Sequence, residues 1–377
     1  MSPPTNKPSL REARFEDCDG VLALMRRNGL PVESTTARWH WLWQNNPAIT
    51  LLQEPWPMGW VLENESGIAG YLGNVPMLYR FNGKKLRVGA ARGFAVDHSA
   101  RSHSLRLVAA YFSQTGADLL LNTSANAAAA SVWGLCKART VPQANYDKVL
   151  LWILKDRAFV ESYLLKLGKA PWLAKLAAFL AAPAVSAEGI VRRRIPRSSS
   201  SGSVVSVLDP SEIGEEFDAL WQGIVKSRPD RLLADRSAHS LRWHFDTQNA
   251  VERQAKVIAL RRNGVLSGYA ILTREDSGRL GLKRARISDM IAKDDDASAI
   301  DDLLAASYKQ AKATGCHALE LVGFPGFVRE RALAANPHIY QLPAPPYWYK
   351  ARDPLLASEL EKELHWYALP YDGDATL

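Results

Sequence analysis

Trp60-Val61-Leu62-Glu63-Asn64 followed by Gly67-Ile68-Ala69-Gly70-Tyr71 spells a strand, a turn and a second strand. The chain writes this again as Val257-Ile258-Ala259-Leu260 followed by Gly264-Val265-Leu266-Ser267-Gly268-Tyr269. Upstream of each copy stands another matched pair, Arg38-Trp39-His40-Trp41 and Arg242-Trp243-His244-Phe245. Trp39 and Trp243 lie 204 residues apart, and Tyr71 and Tyr269 lie 198 apart. Order and spacing agree to within a loop insertion, so two copies of one fold is the simplest reading.

Composition supports it. A chain of 377 residues, 47% hydrophobic and 23% charged, has the length for two globular domains with a core each. The formal net charge of +8 favours anionic partners: a phosphorylated cofactor, nucleic acid or an acidic membrane face. No basic stripe with interleaved aromatics supports nucleic-acid readout, which excludes that partner. Cys18, Cys136 and Cys316 lack C-x-x-C spacing, so neither a zinc site nor a disulfide framework is indicated and a reducing compartment fits. Met1 to Leu10 has three prolines and no apolar run, so no signal peptide is expected and the cytoplasm is the default location.

Along the first half, hydrophobic periodicity gives a strand at Ser9 to Ala13, a helix at Asp17 to Arg27, and strands at Trp60 to Glu63 and Ile68 to Val75. Strands follow at Leu78 to Phe81 and Leu86 to Val96 around Asn82-Gly83, then a helix at Ser104 to Gln114, a strand at Asp118 to Asn122 and a helix at Asn126 to Lys137. The second half repeats the series, with strands near Val204, Lys256, Leu266, Ala285 and Ala318 and helices over Ile213 to Val225 and Ala299 to Thr314. The pattern predicts an α/β fold in which each half is a mixed, mainly antiparallel sheet flanked by helices. The expected division is an N-terminal domain at 1–155, a helical linker with a basic, serine-rich tether at 156–203, and a C-terminal domain at 204–377.

The segment most informative about chemistry is Phe94-Ala95-Val96-Asp97-His98-Ser99-Ala100-Arg101-Ser102-His103-Ser104-Leu105. A strand enters a short polar turn and then a helix, where main-chain NH groups of Ser102 to Leu105 would seat a pyrophosphate at the positive end of the helix dipole. The alternative is an ordinary strand-to-helix connection whose serines cap the helix from Leu105 onward.

Val96-Asp97 followed by Arg101-Ser102-His103-Ser104-Leu105-Arg106 resembles the acyl-CoA-binding signature of the GNAT superfamily of N-acyltransferases, and the strand order is similar to a GNAT fold. The resemblance implies a tandem of two GNAT-like domains, with acetyl-CoA or another acyl-CoA as co-substrate and a small-molecule or peptide amine as acceptor. It places Val96, Arg101, Ser102, His103, Ser104, Leu105 and Arg106 around the cofactor, with Asn126 near the pantetheine arm and Trp133 where the family often has a tyrosine acid. Three departures stand beside these matches. Ser104 and Arg106 replace turn glycines, Trp133 cannot donate a proton as a tyrosine does, and Leu86 to Ala95 carries no Asp, Glu or His.

Acyl transfer needs an oxyanion donor and a base. The amide near Val96 can be the donor if the strands splay there, and His98, or Asp97 through a water, can be the base. Against these roles, Asp97 can simply close the turn and His98 can lie on the surface. The second half has Lys293-Asp294-Asp295-Asp296 at the corresponding turn, which repels a pyrophosphate, so its expected job is to complete the cleft or to pack against the first half. Pro346-Tyr347-Trp348-Tyr349 is read as an apolar strand in the core or at the domain interface, or as cleft lining. Pro171 to Val185 is read as a helix buried between domains; the alternative, with Arg192-Arg193-Arg194 behind it, is an interfacial helix on an anionic membrane. Asp372-Gly373-Asp374 falls short of a cation loop, so no metal is assigned. Acyl-CoA-dependent N-acyl transfer, with acyl-CoA in the N-terminal copy, is the leading expectation, and a catalytically silent tandem scaffold that binds acyl-CoA or a protein partner is the alternative.

Overall fold

A computed structural model describes the chain apart from residues 1–6, 31–35, 53–54, 126, 200–201, 246–253, 343–345 and 375. The first half runs β1 (Ser9–Glu12), α1 (Cys18–Arg27), α2 (Thr36–Trp43), α3 (Pro47–Leu52), β2 (Gly59–Asn64), β3 (Gly67–Phe81) and β4 (Lys84–Val96). It continues through α4 (Ser104–Ser113), β5 (Leu119–Asn122), α5 (Ala127–Leu135), β6 (Arg139–Thr140) and β7 (Lys148–Ile153). A helical hairpin, α6 (Asp156–Lys166) and α7 (Pro171–Val191), leads to β8 (Ser203–Leu208), α8 (Glu215–Ser227), β9 (Leu233–Ala234) and α9 (Ala238–Phe245). Then come β10 (Lys256–Arg262), β11 (Val265–Arg274), β12 (Arg284–Ala292), α10 (Ala297–Ala313) and β13 (Ala318–Val322). The chain ends through α11 (Gly326–Leu333), β14 (His338–Gln341), β15 (Trp348–Ala351) and α12 (Pro354–Glu359).

Among the described residues the strands form two sheets, ordered β1-β2-β3-β4-β5-β15-β6 and β8-β10-β11-β12-β13-β7-β14. Along these orders the two sheets match strand for strand, and β9 pairs with β3 in addition. In each, one parallel pair sits among antiparallel neighbours: β4 beside β5 and β12 beside β13. One position is exchanged. β7, from the first half, pairs with β13 in the second sheet, while β15, from the second half, pairs with β5 in the first. A division at 155 and 204 therefore separates the chain but not the sheets. Tyr347-Trp348-Tyr349 lies at the start of this exchanged strand, with Tyr349 buried.

Register explains the shape of the first sheet. Asn82 and Gly83 both have positive φ, as a tight hairpin between β3 and β4 requires. Further along, Tyr71 faces Ala95 and Gly73 faces Arg92, so Gly93 and Phe94 oppose Leu72 alone. That is a β-bulge, and Gly93, at φ 66°, supplies the backbone conformation for it. β12 carries an extra residue of the same kind at Ser288, between pairs Leu272–Ile287 and Ile271–Asp289.

The two halves meet on a reciprocal tryptophan contact. Trp41 in α2 and Trp243 in α9 stack with ring centroids 4.8 Å apart. Trp41 Nε1 donates to the Trp243 carbonyl at 2.9 Å and Trp243 Nε1 donates to the Trp41 carbonyl at 3.1 Å. A contact in which each member does to the other what is done to it marks a two-fold relation. The offset across it is 202 residues, and the helices Thr36–Trp43 and Ala238–Phe245 keep that offset. The matched Arg-Trp-His letters, at 204, are thus two positions out of structural phase. All of Trp39, Trp41 and Trp43 lie on a helix, where Trp39 and Trp43 fill the core.

The C-terminal segment is the other tie. Arg236, fully buried, donates to the carboxylates of Asp289 in β12 and Asp372, and lies over the Tyr371 ring at 4.6 Å. Tyr269 Oη adds a bond to Asp289 at 2.8 Å. Such a pair is held only because both charges are matched and hydrogen-bonded; losing one partner costs about 3–5 kcal/mol. Two residues on, Asp374 accepts from Thr123 Oγ1 at 2.8 Å and Ser124 Oγ at 2.5 Å. Asp372 and Asp374 thus point to different halves and are not a cation pair. No cluster of metal-ligating side chains occurs among the described residues.

Two linker expectations are corrected. The described residues 192–199 and 202–203 are pinned rather than loose: Arg194 pairs with Glu188 and donates to the Asn336 carbonyl, and Ser198 and Ser203 donate to Asp302. α7 is not buried between domains. Its packing partner is α6, and Trp172, Phe179 and Leu180 are exposed by 60% or more.

Replacing Trp41 or Trp243 by alanine is expected to cost about 3 kcal/mol each, with a double-mutant coupling of about 1 kcal/mol. Chemical denaturation measures both, and coupling near zero would mean that the rings support their own halves separately. His244 gives a pH test. Burial, assisted by the Arg236 charge, pushes its imidazole down to about 3 from 6.5. Between those values the unfolded chain binds a proton that the folded chain refuses, so stability falls as the solution is acidified through that window. From about pH 7 to about pH 5 this amounts to about 2 kcal/mol. His244→Phe should remove that share of the acid loss in denaturation curves; an unchanged slope would contradict it.

Candidate functional site

β4 and β5 pair only over Val88–Ala90 and Leu119–Leu121. Beyond that comes the bulge at Gly93-Phe94, and the two strands part as a V. Tyr111, buried in α4, fixes its base: the hydroxyl is shared between the carbonyl oxygens of Gly89 at 2.6 Å and Leu121 at 3.0 Å. Strand amides alternate between the two edges. Asp97 N donates to Ala69 O of β3 at 2.8 Å, so the Val96 N–H points the other way, into the V. Arg92, on the same arm, donates to the Asp374 carbonyl at 2.9 Å. Thr123 and Ser124 on the opposite arm hold the Asp374 carboxylate, so the C-terminal segment closes one end of the opening.

The turn after β4 differs from the expectation. His98–His103 is a 3₁₀ helix that runs without a break into α4. Ala100 N is bonded to Asp97 O, and Ser104 N to Arg101 O. Amides from Ala100 onward are therefore turned to carbonyls of the preceding turn. The amides of Ser102 to Leu105, expected to face an anion, thus lie within the coil, and those of His98 and Ser99 stand at its start.

Asp97 is engaged on both oxygens: Arg27 Nη2 donates to Oδ2 at 2.9 Å and Asn28 Nδ2 to Oδ1 at 2.9 Å. It ties β4 to the end of α1, so the base role considered for it is replaced by a structural one. His98 is exposed, as are Arg101, Ser102 and Leu105; His103 and Ser104 are half-buried. Arg106 reaches back to the Pro8 carbonyl at 2.6 Å. Trp133 is core, 2% exposed, edge-on to Tyr111 and Phe112 at 5.3 and 4.8 Å, so it offers no surface to a ligand and the cofactor role expected for it is corrected. Asn126 lies outside the described residues.

Arg27, Asn28, Gly29, Asp97, His98, Ser99 and Arg101 line one open hollow. Arg27 and Asn28 come from 70 and 69 residues upstream of Asp97, and no periodicity announces that contact. The only available signal was Arg27-Asn28-Gly29 as a helix end.

The second copy is closed at both corresponding places. Asp296 caps α10 by accepting from Ser298 N and Ala299 N, so the amides that would face an anion already face a carboxylate. β12 and β13 also part after Ile287–Leu321, but the gap is filled: Tyr371 N donates to Ser288 O and Tyr367 Oη to Met290 O.

No protein-family model matches the sequence, and no curated protein matches it. Solved structures do. A GCN5-related N-acetyltransferase from Anabaena variabilis is similar over 92% of this chain and 73% of its own, with a TM-score of 0.57 at 10% identity. A probable N-acyltransferase from Enterococcus faecalis gives 0.57 over 91% of this chain and 72% of its own, also at 10% identity. N-myristoyltransferase from Saccharomyces cerevisiae, with bound myristoyl-CoA, gives 0.52 over 93% and 84%, at 11% identity. With two matching sheets, the parted parallel pair in each and these likenesses, the chain has the fold of the GNAT superfamily, as two GNAT-like domains.

Proposed function

We propose that the protein is an acyl-CoA-dependent N-acyltransferase, taking acetyl-CoA or another acyl-CoA in its N-terminal copy and transferring the acyl group to a small-molecule or peptide amine. The observation that carries this is the V between β4 and β5, with the Val96 N–H directed into it beside the start of the 3₁₀ coil. An amide held there by the β3–β4 ladder is a preorganised donor to the oxyanion that forms when an amine attacks a thioester. The amides of His98 and Ser99, with Arg101 and Arg27 around the same hollow, supply positive potential for the cofactor phosphates. His98, exposed at the rim, is the candidate to take the ammonium proton. The bound myristoyl-CoA of the yeast neighbour makes a donor longer than acetyl as admissible as acetyl itself.

A second reading, acyl-CoA or partner binding without turnover, is favoured by one observation: Asp97 accepts a hydrogen bond on each oxygen, from Arg27 and Asn28. Titration calorimetry with acetyl-CoA and with myristoyl-CoA should show a saturable site. Arg101→Ala should weaken it about tenfold. Binding of neither ligand would remove the transferase and the CoA-binding scaffold together. Release of CoA thiol on adding an amine library then decides between the two, since a scaffold binds and releases none.

A further inference from the structure

α7 presents its apolar side to solvent. At 100° per residue Trp172, Leu173, Leu176, Phe179, Leu180 and Val191 fall within an arc of about 120°. Their exposures run from 40% for Leu173 to 80% for Val191. On the opposite side Ala174 and Ala178 are fully buried and α6 is the packing partner; next to the arc, Ser186 Oγ donates to Asp156 of α6. Two alanines one turn apart bring the helices close, and that contact uses little of the helix's apolar surface. In an ordinary amphipathic helix the wide apolar stripe faces the core. Here it faces outward, over a 21-residue helix.

Cations border the stripe. Lys166 and Lys169 stand at the hairpin tip, Lys175 beside the apolar arc, and Arg192 and Arg193 at the far end, all exposed. Arg192 is paired with Glu188, whereas the three lysines and Arg193 form no ion pair among the described residues. This length of helix also fits a membrane span. Its ends argue otherwise. Just before α6, Leu154 N donates to His317 O, and just after α7, Arg194 donates to Asn336 O. Both ends are fastened to the same folded body, so the helix lies along a surface and does not cross one.

We infer that the α6–α7 hairpin docks the protein on a lipid bilayer with anionic headgroups, α7 lying in the interfacial plane with its apolar arc among the acyl chains. The occupant follows from charge and shape: a convex single helix with a wide apolar arc and a cationic border matches an anionic interface. This surface is separate from the V between β4 and β5, and the inference stands without any reading of that site.

Vesicle flotation of the full chain tests it, with phosphatidylcholine alone or mixed with phosphatidylglycerol. The expected result is flotation on the mixed vesicles, weakened by salt. Arg193→Gln should lower the partition coefficient roughly fivefold. Leu176→Glu with Leu180→Glu should abolish flotation; both side chains are more than half exposed, so an unchanged melting temperature is expected. Absence of flotation on either vesicle overturns the inference, as does flotation that survives the double substitution. Concentration-dependent dimerisation that the double substitution abolishes, with no vesicle binding, would assign the face to a second copy of the chain and overturn it equally.

Discussion

The stacked, doubly hydrogen-bonded Trp41–Trp243 pair is the point through which the two halves are related, and the exchange of β7 and β15 makes that relation permanent. A duplicated fold can separate into two domains on a tether. This one cannot, because each sheet lacks an inner strand unless the other half supplies it. Removing β15 from beside β5 would leave an unpaired edge next to the one parallel pair of the first sheet. The same argument applies to β7 beside β13.

The constraint also accounts for the asymmetry of the copies. A chain that interlocks in this way carries its C-terminal segment through the middle of the molecule. There it fills the gap after β12 with Tyr367 and Tyr371, is anchored by Arg236 on Asp372, and reaches the first sheet with Asp374 on Thr123 and Ser124. The second parting holds the two tyrosines, and in the first Asp374 bridges Arg92 on one arm to Thr123 and Ser124 on the other. Asp296 on α10 completes the closure of the second copy. The two sheets share one strand order, and the C-terminal segment meets their two partings with different side chains.

Much of the fold was legible because its signals are local. Short apolar runs in Trp60–Asn64 and Ile68–Tyr71, Asn82-Gly83 as a hairpin turn, and the strand-to-helix passage at Val96–Ser104 all rest on neighbours within a few residues. The exchange was not legible: Pro346-Tyr347-Trp348-Tyr349 reads as an apolar strand, and nothing in a strand names the sheet that it joins. The Arg-Trp-His match misled by two positions because letters repeat without regard to helical phase. At the site, the place of Val96 at a strand end is a local signal of the same kind. Asp97 acquired its partners from α1, seventy residues away, and the Ser102–Leu105 amides were lost to a 3₁₀ turn that serine-rich sequences do not distinguish from an open loop. α7 was read as core for a sound reason, since apolar helices of its length are usually buried, and the structure shows the exception.

Interlocking has a thermodynamic signature. Domains on a tether unfold in separate steps, while halves that complete one another's sheets lose their structure together. Differential scanning calorimetry of the full chain should therefore give one transition whose calorimetric and van't Hoff enthalpies agree. Two resolved transitions, each with the enthalpy of about half the chain, would contradict the exchange of strands on which the whole arrangement rests.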